Sequence, residues 1–237
     1  MSPKGRCTVA AIIAAAGTGS RMGLGYNKVF MDIMGCPLIC YSVRVMNSVE
    51  SIEEIVIVTG QEDISACHEL FRDAPDFAKV TAIVSGGASR HQSVANGLAA
   101  LSASCEFVLV HDGARPCIRL DDVTRVISAA WEHGAAILGT PVTDTVKVAN
   151  AEGFVERTLD RSCLWAVQTP QCFRHRLLAD AIAEAASCNF EGTDESSLVE
   201  HLGVRVKLVA SRHANTKVTR PADLYIAERI LREDHSA

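Results

Sequence analysis

Four short runs of mostly β-branched and small apolar residues, Thr8–Ala14, Ile55–Val58, Val80–Val84 and Phe107–Val110, each end at a polar or glycine-containing break. Strands that are apolar throughout belong to a sheet covered on both faces. The segments between them have helical spacing. Pro37–Met46 carries Leu38, Tyr41 and Val45, Asp63–Phe71 reads as a short helix, and Ser89–Leu101 aligns Val94, Leu98 and Leu101. Asp121–His133 continues the series with Val123, Val126, Ile127 and Ala130 inward, and Gly134 is its C-terminal stop. Later come a helix over Phe173–Ala186, a strand over Val204–Val209 and a helix over Pro221–Leu231 opened by its proline. This alternation predicts an α/β fold, a doubly wound and mostly parallel sheet.

The rhythm fails over residues 141–168, where Val142, Val146 and Val148, an Asn-Ala-Glu-Gly turn, and Phe154, Val155 and Leu159 read as an extended hairpin. A two-stranded ribbon is marginal by itself, so either the main sheet or a second subunit supports it. The length of 237 residues suits a single domain, 1–237, with this arm at about 141–168 as a subdomain. A net charge of -5 argues against a broad nucleic-acid footprint but leaves room for a local phosphate cleft. Nine dispersed cysteines without a CxxC pair fit neither a zinc site nor a disulfide scaffold; they read as reduced thiols in a cytoplasmic protein. No secretory segment and no apolar run of about 20 residues is present, so no membrane partner is expected.

In an open parallel sheet, ligands bind beyond the carboxyl ends of the strands. Four polar segments fall there. In the first, Gly17 and Gly19 let backbone N–H groups wrap an anion, and Ser20, Arg21 and Lys28 add polar and charged groups. It is not a dinucleotide fingerprint, because Met22 stands where the third glycine belongs, and GxxxxGK[ST] is absent. The second segment places Gly86 and Gly87 ahead of a helix start with Ser89, Arg90 and Ser93, an arrangement suited to a base edge or a ribose; alternatively it is a capped helix with a solvated Arg90. The third is His111-Asp112-Gly113-Ala114-Arg115-Pro116. Asp112 is a carboxylate of the kind Mg²⁺ uses, Arg115 either clamps a phosphate or braces Asp112, and His111 reads as packed rather than catalytic. The fourth, 212–220, contributes Lys217 and Arg220 before the last helix. No nucleophile with an attendant base appears. Cations, a glycine cradle and one carboxylate point to phosphoryl or nucleotidyl transfer without a covalent intermediate.

Taken in order, AAAGTGSRMG with Lys28, VSGGASRHQSVANGL, VLVHDGARP, PVTDTVK, LWAVQTPQ, GTDESSLVE and NTKVTRPADL resemble the 2-C-methyl-D-erythritol 4-phosphate cytidylyltransferases of the non-mevalonate isoprenoid pathway, from about Val9 to Leu231. The resemblance implies a Rossmann-like nucleotidyltransferase fold with a protruding β-arm that joins a homodimer. It implies transfer from CTP to the polyol phosphate with release of pyrophosphate and with Mg²⁺ as cofactor; ribitol-5-phosphate cytidylyltransferase is the alternative. Position by position, it puts nucleotide contacts on Ala16, Gly17, Thr18, Gly19, Ser20, Gly86, Gly87, Ser93 and Asp112, the last also holding the metal. Arg21, Lys28 and Lys217 take the catalytic roles. Acceptor contacts fall on Arg115, Thr145, Arg161, Thr193, Asp194 and Lys217, with Arg161 of one subunit serving the other's site. One departure stands out: Asn27 and Val29 flank Lys28 where the family usually has proline and glutamine, so this loop is either looser or ordered by a different contact.

Overall fold

The computed structural model describes residues 7–17, 27–72, 74–102 and 105–234, the side chain of residue 234 excepted. In chain order the elements are β1 (Val9–Ala15), a 3-10 turn at Lys28–Phe30, a small hairpin of β2 (Asp32–Ile33) and β3 (Cys36–Pro37), α1 (Leu38–Ser48), β4 (Ile52–Thr59), α2 (Ile64–Phe71), β5 (Val80–Ser85), α3 (Arg90–Ala99), β6 (Phe107–Asp112) and α4 (Leu120–His133). The second half comprises β7 (Ala135–Pro141), β8 (Lys147–Ala149), β9 (Val155–Thr158), β10 (Trp165–Arg174), α5 (His175–Cys188), α6 (Glu195–His201), β11 (Lys207–Ala210) and α7 (Pro221–Asp234).

The main sheet runs β11-β7-β10-β6-β1-β4-β5. Its pairs are parallel except that β10 is antiparallel to both β6 and β7. Strand residues alternate between faces, and both faces of this sheet are covered. Val9, Ala11, Ile13 and Ala15 of β1 join one core with Leu38, Met46, Phe71, Val126 and Leu231 from α1, α2, α4 and α7. Ala10 and Ile12 join the other, with Val94, Leu178 and Val199 from α3, α5 and α6. This is the doubly wound, mostly parallel sheet that the alternation predicts. α4 ends as expected on Gly134, whose φ of +87° is a left-handed cap that a side chain would disfavour. None of the helices described is long and apolar enough to cross a membrane. All nine cysteines are unpaired.

The chain departs from the expected layout around the arm. Of the described strands in 141–168, only β8 and β9 pair as a ribbon apart from the main sheet. The stretch that follows rejoins the main sheet as β10, and Trp165 and Ala166 pair with Pro141 and Thr140 of β7. The main sheet therefore carries the base of the ribbon. Phe173, expected to open a helix, is a fully buried strand residue opposite Val108 and Ala135; the helix starts at His175. Phe154 and Val155 at the ribbon end are 69% and 60% exposed.

Candidate active site

Because β1, β4, β5 and β6 are parallel neighbours, their carboxyl ends share one rim. Ala16 and Gly17 follow β1, Gly86 and Gly87 follow β5, and Asp112 is the last residue of β6. A cavity of about 380 Å³ opens there, bounded by Ala14–Gly17, Lys28 and Val29, Gly87–Arg90 with Ser93, and Asp112, Ala114 and Lys217. The close approach of α3 requires the glycine pair. A Cβ on Gly86 would come within 2.5 Å of Ala16 Cβ, and one on Gly87 within 2.0 Å of Gln92 Cγ. Ser89 caps α3 by accepting from Gln92 N at 3.1 Å, and Ser93 Oγ accepts from Gly87 N at 3.1 Å.

Lys28 is delivered by a contact that its neighbours supply. The buried amide of Asn27 donates from Nδ2 to Ala15 O at 2.6 Å and to Asp63 Oδ2 at 2.9 Å, and its Oδ1 accepts from Val29 N at 3.3 Å. Val29 is itself in the core. Asn27 thus ties the turn bearing Lys28 to the end of β1 and to the approach of α2, which is the different contact that the sequence left open. Thr18, Gly19, Ser20 and Arg21 lie outside the described residues.

A second cavity of about 300 Å³ adjoins the first and shares Arg90, Asp112 and Lys217 with it. Its other walls are Arg115, Val167–Thr169, Gln171, Thr193 and Asp194. Asp112 is the junction. Its Oδ1 accepts from Arg90 Nη1 at 2.6 Å, and its Oδ2 from Lys217 Nζ at 2.8 Å and Arg115 Nε at 3.3 Å. Burial by itself raises the pKa of this carboxylate, but the charges of Arg90, Lys217 and Arg115 outweigh it and hold the group well below the usual carboxylate range. Arg115 therefore braces Asp112, and its Nη1 also donates to Asn215 O at 2.8 Å.

The segment that brings Lys217 here is pinned at several points. Buried Asp122 of α4 accepts from Ser211 Oγ at 3.0 Å and Arg212 N at 3.2 Å. Asn215 Nδ2 donates to Thr169 O at 2.9 Å, and Val218 N to Ala114 O at 2.9 Å. Asp194 lines the second cavity, yet its carboxylate also caps α6, accepting from Ser197 N at 3.0 Å and from Gln171 Nε2 at 2.6 Å. Thr145 and Arg161 are exposed on the arm and line neither cavity; Arg161 Nη1 donates to Thr143 O.

His111 is fully buried, and burial lowers its pKa to about 4. Thr169 Oγ1 accepts from Asp112 N at 3.0 Å and lies 3.1 Å from His111 Nδ1. Because His111 Nε2 lies 3.4 Å from Arg115 O, which can only accept, the neutral ring carries its proton on Nε2 and Nδ1 accepts from the Thr169 hydroxyl. The folded pKa lies below the 6.5 of a free imidazole, so between those values the unfolded chain binds more protons. Stability is unaffected above pH 6.5 and falls as the pH drops toward 4, by on the order of 3 kcal/mol. Thermal midpoints across that range are expected to fall more steeply for the wild type than for His111→Gln; equal slopes would remove this role.

Two buried groups escape sequence reading. Glu195, the first residue of α6, binds Arg90 through both oxygens, and Gln171 joins β10 to α6 through Asp194 and Ser196 N. Arg90 did carry a signal. A cation in the first turn of a helix opposes the helix dipole, so it needs carboxylates nearby. Among the described residues no three His, Cys, Asp or Glu side chains gather as a metal cluster.

Similarity to known proteins points to one family. The profile of the IspD family, 2-C-methyl-D-erythritol 4-phosphate cytidylyltransferase, matches residues 9–233. A protein so described from Caldanaerobacter subterraneus subsp. tengcongensis is 42% identical over 225 residues, covering 95% of this chain and 99% of its own. Another, from Geobacillus kaustophilus, is 45% identical over 224 residues, covering 93% and 96%. Among solved structures, a 4-diphosphocytidyl-2C-methyl-D-erythritol synthase from Anaerococcus prevotii has a TM-score of 0.83 at 28% identity, over 95% of this chain and 99% of that one. The Thermus thermophilus 2-C-methyl-D-erythritol 4-phosphate cytidylyltransferase has a TM-score of 0.76 at 33% identity, over 95% and 99%.

Proposed function

The chain belongs to the 2-C-methyl-D-erythritol 4-phosphate cytidylyltransferase family, and from that premise we propose that the two joined cavities are its donor and acceptor sites. The reaction converts CTP and 2-C-methyl-D-erythritol 4-phosphate to 4-diphosphocytidyl-2-C-methyl-D-erythritol and pyrophosphate. The observation that carries the site reading is the shared wall of Arg90, Asp112 and Lys217, where a donor phosphate and an acceptor phosphate can meet. Ribitol-5-phosphate transfer is not favoured by the family match.

An oxygen of the acceptor phosphate forms a bond to the α-phosphorus of CTP as the bond to pyrophosphate breaks. A phosphate monoester is largely dianionic at neutral pH, so no strong base is needed. The obstacle is repulsion between two anions, and fixed cations offset it. Lys28 faces the triphosphate, a role that the family resemblance also gives to Arg21; the backbone at Gly17 and Gly87 lets the nucleotide lie close; Lys217 orients the acceptor phosphate.

Mg²⁺ fits this donor set. Asp112 stays ionised, and a carboxylate offers about four lone-pair sites, of which Arg90, Arg115 and Lys217 use three. Magnesium often takes one or two carboxylates and completes its shell with water and phosphate oxygens. Bound at Asp112, it would neutralise charge on the reacting phosphates. The self-paired ribbon with exposed Phe154 and Val155 supports a homodimer in which the arm of one copy reaches the other, carrying Thr145 and Arg161 to its acceptor cavity. We place the enzyme in the cytoplasm, where CTP is available and unpaired thiols stay reduced.

Pyrophosphate release, with CTP and UTP crossed against methylerythritol phosphate and ribitol phosphate, tests the reading. Activity is expected with CTP and methylerythritol phosphate; activity with ribitol phosphate alone would overturn it. Lys28→Ala is expected to lower kcat about 100-fold, and Lys217→Ala chiefly to raise KM for the acceptor, by about 10- to 100-fold. Steady-state kinetics with each substrate varied separates the two, and a wild-type profile in either variant removes that residue's role.

A further inference from the structure

Glu195 is fully buried and lines neither cavity, so it is out of reach of both substrates. A buried carboxylate is costly unless a cation and hydrogen bonds offset it. Both of its oxygens accept from one guanidinium, Arg90 Nε at 3.0 Å and Nη2 at 2.8 Å. The same planar group donates from Nη1 to Asp112 at 2.6 Å. A guanidinium held on two sides by carboxylates cannot turn without losing one of them, and an ammonium cannot replace its fork. Arg90 opens α3, whose approach loop walls the first cavity; Glu195 opens α6, whose cap Asp194 and neighbour Thr193 wall the second.

Resting on the reading of these cavities as donor and acceptor sites, we infer that Arg90 and Glu195 form a positioning bridge that fixes the Asp112 carboxylate and holds the two walls in register for in-line attack. Glu195 is a positioning residue, acting through Arg90. A displacement of about 1 Å between reacting groups can cost about 100-fold in rate while both substrates still bind.

Two variants test this, Glu195→Gln and Arg90→Lys, each of which leaves a cation at position 90. Each is assayed well below its own thermal midpoint, alongside the wild type. The expected result is a kcat lowered about 30- to 100-fold with the KM values for CTP and acceptor within about threefold of wild type. A bridge that only stabilised the fold would lower the thermal midpoint and leave kcat of the folded enzyme unchanged. Wild-type kcat in either folded variant therefore overturns the inference, and Arg90→Lys serves if Glu195→Gln does not fold. A wild-type enzyme that makes no cytidylyl product would instead overturn the functional reading itself.

Discussion

Replacing Asp112 with asparagine is expected to cut kcat about 1,000-fold and to lower the thermal midpoint by roughly 10 °C. Three cations converge within 3.3 Å of this one carboxylate. Asparagine keeps the shape and one acceptor oxygen but removes the charge that offsets them. Glu195 then compensates Arg90 alone, and Lys217 and Arg115 repel each other. Removing one partner of a buried ion pair costs about 3–5 kcal/mol, which for a chain of this size gives the stated shift in midpoint. The kinetic pattern separates this from simple loss of fold. In the folded variant kcat falls because Lys217 and Arg90 lose the group that aims them and Mg²⁺ loses the carboxylate proposed to hold it, whereas simple loss of fold leaves kcat of the folded fraction unchanged. If the folded variant keeps kcat within about tenfold of wild type, Asp112 is not the organising centre of the site.

Much of the framework is legible because it rests on local signals. The apolar run of β1 places alternate residues into two cores, and that requires helices on both faces. The glycines at 86 and 87 mark the loop ahead of a helix, and the structure adds what crowds them there: the side chains of Ala16, Ser93 and Gln92. What stayed hidden is long-range. β7, AAILGTP, has only Ile137 and Leu138 as large apolar residues and ends on Pro141, too weak a pattern to be read as a strand. β10 carries Gln168, Thr169, Pro170 and Gln171 in its middle, and a proline there argues against a central strand. The structure accommodates it because the pairing with β7 shifts between Val167 and Gln171. The polar residues at that break then serve the site: Thr169 meets His111 and Asp112 N, and Gln171 holds α6.

The same limit applies to the ion pairs. Arg90 and Glu195 are 105 residues apart, so no spacing rule joins them. Asn27 reaches Ala15 and Asp63 across 12 and 36 residues, and this chain thereby fixes Lys28 with side-chain hydrogen bonds. The cations proposed to be catalytic are thus recognisable from local motifs, whereas the groups that orient them emerge only from the packing of α3, α6 and β10 around one carboxylate.

Two variants that are each nearly inactive at low acceptor concentration, Arg161→Ala and Lys217→Ala, are expected to restore activity when paired in one dimer. Lys217 lies in the wall between the cavities, whereas Arg161 is exposed on the arm and reaches neither cavity of its own chain. If the arm of one copy completes the other's acceptor cavity, a hybrid dimer combines the Arg161→Ala core with the intact arm of the Lys217→Ala chain. One of its two sites is then whole and the other lacks both residues. Hybrids isolated with two affinity tags should show about half the wild-type rate per dimer, because a twofold assembly has two equivalent sites. Were Arg161 to act on its own chain, every site of the hybrid would lack one residue, and its activity would not exceed the mean of the parents. That second result would remove the shared-site reading and leave the arm a dimerisation element alone.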